Sequence, residues 1–133
     1  MYLVDTNIWL ERLLDQARSE EVGQFLEQVP SEQLFVTDFA FHSIGVILTK
    51  LGQTEVLSRF VKDLFIEGAV VVVNLQPQET RRIIEVIANF RLDFDDAYQY
   101  VAAEREDLII ISFDGDFDRT ERGRRTPTEV LSR

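Results

Sequence analysis

The stretch LIIISFDGDF, residues 108–117, joins an unbroken apolar run to a loop that carries two aspartates, Asp114 and Asp116. A second run of the same kind, AVVVV, covers residues 69–73. Short apolar runs rich in β-branched residues are typical of strands that are buried on both faces of a parallel sheet. The two runs therefore predict a parallel sheet, with acidic residues directly after one of its strands.

The rest of the chain alternates short strand patterns with helical patterns, which predicts an α/β sandwich around a central, mainly parallel sheet. The predicted strands are Tyr2–Val4, Leu34–Val36, Ala69–Val73 and Leu108–Ile111. The predicted helices are Thr6–Leu14, Ser19–Gln28, Asp38–Leu51, Thr54–Glu67, Gln78–Phe90 and Asp93–Arg105. Gly52 separates two of these helices and is expected to end the first.

Length and composition indicate one domain, residues 1–133, with enough apolar residues to form a core. The chain has no cysteine, which excludes disulfides and thiolate chemistry. No signal-peptide pattern and no apolar run of about 18 residues is present, so we expect a soluble cytoplasmic protein without a membrane segment. The net charge of −10 argues against general electrostatic binding of nucleic acid, but not against a local basic patch or a bound metal.

Acidic residues occur where the predicted strands end and where one predicted helix begins. Asp5 follows the first strand, Asp114 follows the last, and Asp96 lies in the first turn of the helix that precedes the last strand. In a parallel sheet these positions lie at one edge, so the three carboxylates are expected to converge within about 8 Å. Grouped carboxylates raise one another's pKa unless a cation is present, and oxygen ligands favour Mg²⁺ or Mn²⁺.

Each acid also has a simpler structural interpretation. Asp5 can cap the helix that begins at Thr6, and Asp93 can cap the helix that contains Asp95 and Asp96. The segment FDGDFD, residues 113–118, can be an ordinary polar turn. We expect Asp93 and Asp95 to cap the helix or face solvent, and Asp96 to face the predicted cavity.

Three other classes of acidic site do not fit the sequence. A calcium loop beginning at Asp114 would need glycine at its sixth position and glutamate at its twelfth, where the chain has Arg119 and Arg125. A receiver domain needs a lysine after its last strand, and no lysine follows Lys62. A dehalogenase-type phosphatase needs a second aspartate at the position of Asn7.

Three segments in order resemble the PIN domain family, the metal-dependent ribonuclease fold that includes the VapC-type toxins. The segments are LVDTN (residues 3–7), DDAYQYVAAERED (95–107) and IIISFDGDF (109–117). The resemblance implies a three-layer α/β/α sandwich, an acidic pocket that binds Mg²⁺ or Mn²⁺, and hydrolysis of RNA phosphodiester bonds. It extends over nearly the whole chain.

The resemblance also assigns roles by position. Asp5, Asp96 and Asp114 match the first, third and fourth acids of the family's pocket, and Asp116 matches a further acid of the same loop. Ser112 matches a hydroxyl residue that shapes the pocket. Asn7 matches a polar residue close to the first acid.

The second acid of the family is missing from this chain. The family has a glutamate six positions after the threonine or serine that corresponds to Thr37, and here that position is Ser43. Asp38 and His42 lie nearby, one helical turn apart, and either is a candidate substitute ligand. The structural alternatives are that Asp38 caps its helix and that His42 has an ordinary hydrogen bond. Loss of one carboxylate is expected to weaken metal binding and catalysis more than the fold.

The candidate RNA-binding residues follow the acidic loop. Residues 119–125, RTERGRR, contain Arg119, Arg122, Arg124 and Arg125, and their alternative interpretation is a flexible solvated loop. The expected partners are RNA, an antitoxin protein and a second copy of the chain in a homodimer. A rival hypothesis is a PIN-like domain with little or no catalysis that binds a protein or RNA partner, which the missing glutamate and the charge of −10 both favour.

Overall fold

The structure, a computed structural model, describes residues 1–132, so the last residue of the predicted domain lies outside the described part. Four parallel strands form one sheet in the order β3-β2-β1-β4. The strands are β1 (Tyr2–Val4), β2 (Leu34–Thr37), β3 (Val71–Val73) and β4 (Ile109–Ile111). The α-helices are α1 (Thr6–Leu13), α2 (Ser19–Gln28), α3 (Asp38–Lys50), α4 (Thr54–Val61), α5 (Thr80–Phe90), α6 (Phe94–Glu106) and α7 (Pro127–Leu131).

Two apolar cores, one on each face of the sheet, produce three layers. Successive strand residues point to opposite faces. Val4 and Ile111 accordingly pack with α1, α2, α3, α4 and α7, whereas Leu3 and Ile110 pack mainly with α5 and α6. The predicted α/β/α sandwich with a parallel sheet is therefore confirmed.

Several predicted boundaries were wrong. The run at residues 69–73 forms strand only over Val71–Val73. Because β3 lies at the edge of the sheet, Val71 and Val72 are 42% and 47% exposed rather than buried on both faces. The predicted helix from Thr54 to Glu67 is an α-helix only to Val61, and a π-helical turn follows at Lys62–Ile66.

The ends of the remaining helices follow local chemistry. Gly52, with φ of 70°, comes directly after the last residues of α3, as expected for a glycine that ends a helix. Pro77–Glu79 forms a short 3₁₀ turn before α5. The sequence analysis did not predict α7, whose N-terminus is capped by the Thr126 side chain. Among residues 1–132, no helix has both the length and the apolar character needed to cross a membrane.

Candidate active site

The carboxyl ends of β1 and β4 bring Asp5 and Asp114 together. The two strands pair in parallel with Val4 opposite Ile111, and the Asp5 N–H donates to the carbonyl oxygen of Ile111 at 2.9 Å. The first turn of α6 brings Asp96 to the same edge. All three carboxylates line one cavity of about 340 Å³, which we call the acidic cavity.

Asp5 is buried and held by three hydrogen-bond donors. The Ser112 hydroxyl donates to Oδ2 at 2.6 Å, and Gln99 Nε2 and the Thr6 N–H each donate to Oδ1 at 2.7 Å. Burial raises the pKa of Asp5, the three hydrogen bonds oppose that rise, and the charge of Asp114 adds to it. Asp5 therefore both caps α1 and faces the cavity, so the two interpretations of this residue are compatible.

Ser112 and Asn7 connect the ends of β1 and β4. Ser112 is fully buried, and its Oγ accepts from Asn7 Nδ2 at 3.3 Å and from the Asp114 N–H at 2.9 Å. Asn7 Oδ1 in turn accepts from the Phe113 N–H at 3.2 Å. These contacts fix Asp114 relative to Asp5 through polar groups that are themselves paired.

Asp96 is a second acid of the cavity whose pKa is raised. Burial raises its pKa to about 8, together with the charges of Asp93, Asp5 and Asp114 and a hydrogen bond with the Asp114 carboxyl group. Asp93 is the N-cap of α6 and accepts from the Asp96 N–H at 2.9 Å, as predicted. Asp95 is exposed, and both Asp93 and Asp95 border the acidic cavity.

Asp116 extends the acidic group on its exposed side. One oxygen each of Asp96, Asp114 and Asp116 lie within 4.8 Å of one another. Asp116 is also paired with Arg119 at 2.9 Å and about half exposed, whereas Asp5 is buried and has no basic partner among residues 1–132. Asp5 is therefore a stronger candidate metal ligand than Asp116. Asp96 and Asp114 belong both to the group that lines the cavity with Asp5 and to the exposed group with Asp116.

Of the residues considered for the missing acid, only Ser43 lines the acidic cavity. Asp38 and His42 line a different cavity, because adjacent positions on a helix are rotated by about 100° and these two lie on another face of α3. The N-cap of α3 is Thr37 and not Asp38, since the Thr37 hydroxyl accepts from the Ala40 N–H at 3.0 Å.

The sequence analysis missed Gln99. This residue is 5% exposed, lines the acidic cavity beside Asp5, and has a side-chain oxygen, Oε1, that is buried without a hydrogen-bond partner among residues 1–132. The sequence could have indicated this residue, because Gln99 lies three positions after Asp96 on α6 and therefore on the same face. Ser43, Gln99 and Phe39 also line a small cavity of about 20 Å³, large enough for one water molecule.

Three of the four arginines after the acidic loop have side-chain hydrogen bonds to other parts of the chain. Arg119 donates to the carbonyl oxygens of Phe90 and Arg91 at the end of α5, at 3.0 and 2.6 Å. Arg122 donates to Asp107 at 3.0 Å, and Arg124 to Asp118 at 3.1 Å. Arg125 is partly buried, and its backbone bridges to Ile111.

Several known proteins share the fold of this chain. A family model described as "PIN domain" matches residues 2–123. A toxin–antitoxin complex from Klebsiella pneumoniae contains a similar chain: the TM-score is 0.75 at 23% identity, over 96% of this chain and 98% of that one. FitAcB from Neisseria gonorrhoeae has a TM-score of 0.78 at 18% identity, over 96% and 99% of the two chains.

A third solved structure is VapC20 of Mycobacterium tuberculosis, described as a sarcin-ricin loop cleaving toxin. Its TM-score is 0.74 at 16% identity, over 89% of this chain and 93% of that one. A search of curated proteins found no match. At these identities the solved structures establish a shared fold.

Proposed function

Because the chain belongs to the PIN domain family, we propose that residues 1–133 form a single-domain, metal-dependent endoribonuclease that hydrolyses RNA phosphodiester bonds. The observation that carries the proposal is the crowding of Asp5, Asp96 and Asp114 around one cavity, with no ion pair to any of them among residues 1–132. Burial, together with the charges of Asp93, Asp5 and Asp114, raises the pKa of Asp96 to about 8, so the arrangement favours an added cation over the free acids.

The residues of the acidic cavity fit Mg²⁺ or Mn²⁺. Every charged donor is a carboxylate oxygen, and Gln99 and Ser43 add neutral oxygens to the lining. When bound, such a cation supplies Lewis acidity, which lowers the pKa of a water molecule and stabilises negative charge on the reacting phosphate. In this proposal Asp5, Asp96 and Asp114 hold the cation, and Asp116 contributes from the exposed side.

The neighbouring polar side chains act by positioning. Ser112 and Gln99 hold the two oxygens of Asp5 from opposite sides, so this carboxylate has a fixed orientation in the cavity. Asn7 holds Ser112 and, through the Phe113 N–H, the loop that carries Asp114. Together they keep the carboxylates in place despite mutual repulsion.

The arginines contribute to RNA binding in two ways in this proposal. Arg119 and Arg124 neutralise Asp116 and Asp118, which lowers the repulsion that an approaching phosphate would meet. Arg122 extends the basic surface, whereas Arg125 is partly buried and its Nη1 has no hydrogen-bond partner among residues 1–132, so an RNA contact of Arg125 would need this side chain to turn outward. Arg18 adds a charge from the loop before α2, since its guanidinium lies 4.6 Å from the centre of the Phe113 ring.

We further propose that the protein is the toxin of a toxin–antitoxin pair and forms a homodimer. The support for the toxin role is that one similar solved structure is a toxin–antitoxin complex and that another, of FitAB, is bound to a DNA fragment. An antitoxin-like reading frame beside the gene would be the expected genetic context.

The second candidate function is a PIN domain that binds a partner with little or no catalysis. Ser43 favours it, because this residue lines the acidic cavity at the position of the family's second acid and brings no charge. One carboxylate fewer weakens the attraction for a divalent cation.

Cleavage assays on single-stranded RNA distinguish the two candidates. The nuclease proposal predicts cleavage with Mn²⁺, none with EDTA, and faster cleavage or tighter Mn²⁺ binding after Ser43→Glu. RNA that stays intact with Mn²⁺ for both the wild type and Ser43→Glu would contradict the nuclease and favour the binding function. Ser43→Ala is the matched control, since it changes the same position without adding charge.

A further inference from the structure

A second cavity lies beside the acidic cavity and is formed by residues that the proposed metal site does not use. Its volume is about 490 Å³ and its lining comprises Asp38, Phe39, His42 and Tyr98. We call it the outer cavity. Phe39 also lines the small cavity that Ser43 and Gln99 share with the acidic cavity, so the two larger cavities adjoin.

Two side chains that line the outer cavity, Phe39 and Tyr98, pack against the ring of a third residue, Phe94. The centroids of Phe39 and Tyr98 are 5.0 Å apart with the rings nearly perpendicular, and the centroid of Phe94 lies 5.7 Å from that of Phe39 and 6.2 Å from that of Tyr98. Phe94 is nevertheless 44% exposed, although Asp93 and Asp95 on either side of it border the acidic cavity. An exposed ring held by two others offers a rigid surface for stacking.

Asp38 gives the outer cavity a fixed hydrogen-bond acceptor. Its Oδ1 accepts from the Tyr98 hydroxyl and from the Phe39 N–H, both at 2.8 Å. The Tyr98 hydroxyl itself accepts from the Leu75 N–H at 2.9 Å, which fixes the ring and the carboxylate together. Oδ2 has no donor among residues 1–132, and Asp38 is exposed, so this oxygen can accept from a ligand.

We propose that the outer cavity binds an unpaired nucleobase that carries an amino group, stacked against Phe94 with its amino group donating to Asp38. The inference rests on the proposed ribonuclease function, in which a phosphate of the bound RNA strand would occupy the adjoining acidic cavity. An uncharged base can approach these carboxylates where a phosphate is repelled. A free carboxylate oxygen accepts from the amino group of cytosine or adenine. In uracil, two carbonyl oxygens flank the ring N–H, and these oxygens repel the free carboxylate oxygen of Asp38.

Nucleosides test the inference without any need for metal or cleavage, because they carry no phosphate. In NMR titrations of the uniformly ¹⁵N-labelled protein in EDTA, adenosine and cytidine should shift the amide signals of residues 38–42 and 94–98. Uridine should bind several-fold more weakly at the same signals. Equal binding of uridine, shifts located elsewhere, or no shift at about 10 mM adenosine or cytidine, where even millimolar affinity would be visible, would overturn the proposal.

Two substitutions assign the roles. Phe94→Ala should weaken adenosine binding about tenfold, as expected when a stacking ring is lost, and Phe94→Trp should retain it. Asp38→Asn should remove the preference for cytidine and adenosine over uridine, because an amide can also donate to a carbonyl oxygen. Ile84→Ala is the control, since Ile84 is an exposed apolar side chain on α5 and its loss should leave binding unchanged.

The outcomes separate this inference from the proposed function. Nucleoside binding at the outer cavity in a protein that does not cut RNA would retain the inference and reject the nuclease. RNA cleavage that is unchanged by Phe94→Ala, in a protein that binds no nucleoside, would retain the nuclease and reject the inference.

Discussion

Aspartates in two neighbouring regions of the molecule have opposite electrostatic surroundings. On the surface around β4, carboxylates are paired with arginines at 2.9 to 3.1 Å: Asp116 with Arg119, Asp107 with Arg122, and Asp118 with Arg124. In the acidic cavity, Asp5, Asp96 and Asp114 have no ion pair to any basic group of residues 1–132. Arginines neutralise individual aspartates beside the cavity, but none inside it among residues 1–132.

The difference indicates what the acidic cavity requires. Hydrogen bonds from Ser112, Gln99 and Thr6 oppose in part the rise that burial causes in the pKa of Asp5. The pKa of Asp96 is raised to about 8. In the proposed function, a cation from solution would compensate the acids of the cavity, which have no basic partner among residues 1–132. The following predictions test this contrast between the acidic cavity and the paired surface.

The largest effect is expected from Asp96→Asn. The substitution keeps the shape of the side chain and removes a charge that would hold the cation, so we expect metal-dependent RNA cleavage to fall by at least about a hundredfold. In EDTA at pH 8 to 9 the same variant should melt at least about 3 °C above the wild type, because repulsion in the cavity is relieved. Asp118→Asn is the control, since it removes a paired surface carboxylate; an equal loss of cleavage there would contradict the contrast.

The pH dependence of the protein's stability should also reflect the titration of Asp96. The pKa of Asp96 is raised from 3.8 to about 8, so the folded protein holds this proton more tightly than the unfolded chain. Its contribution to stability is therefore fully present below pH 4 and is lost as the pH rises towards 8. The melting-temperature difference between Asp96→Asn and the wild type in EDTA should accordingly grow from pH 4 to pH 8. A difference that does not change with pH would show that Asp96 titrates normally.

A smaller effect is expected from Gln99→Met, which removes the hydrogen bond to Asp5 and keeps a side chain of similar length. Loss of a group that orients a metal ligand typically costs ten- to a hundredfold in affinity, and we expect about tenfold weaker Mn²⁺ binding. Titration calorimetry would measure it. Ser43→Ala, at the same cavity but without a contact to Asp5, should stay within about twofold of the wild type.

The smallest effect is expected on the paired surface. Arg122→Ala removes the ion pair with Asp107, which is almost fully exposed, and should cost at most about 1 kcal/mol of stability because water screens such pairs. Chemical denaturation would measure this loss of stability, and the affinity for Mn²⁺ should stay unchanged. A Mn²⁺ affinity that fell as far as with Gln99→Met would mean that the surface and the cavity are not separate.

The order of elements and the three layers could be predicted from sequence, because strand runs such as residues 108–111 and helical patterns are local signals. The exposure of Val71 and Val72 could not be predicted, since a run of valines forms the same sequence pattern in an edge strand and in a central strand. The π-helical turn at Lys62–Ile66 has no such signal either.

The meeting of Asp5, Asp96 and Asp114 could also be predicted, because their positions at strand ends and at a helix start follow from parallel topology. The partners of each arginine could not, since the pairs of Arg122 with Asp107 and Arg119 with Phe90 join residues far apart in the chain. Asp38 and His42 were considered as ligands from their proximity in sequence to Ser43, and only the rotation of α3 separates their face from the acidic cavity.

Mn²⁺ titration calorimetry at pH 8 would show whether the unpaired carboxylates of the acidic cavity bind a divalent cation, as proposed. We expect saturable binding to the wild type, loss of binding in Asp96→Asn, and wild-type affinity in Asp118→Asn. Absence of binding at about millimolar Mn²⁺, a concentration at which even weak extracellular-type oxygen sites fill, or equal binding by Asp96→Asn, would contradict it.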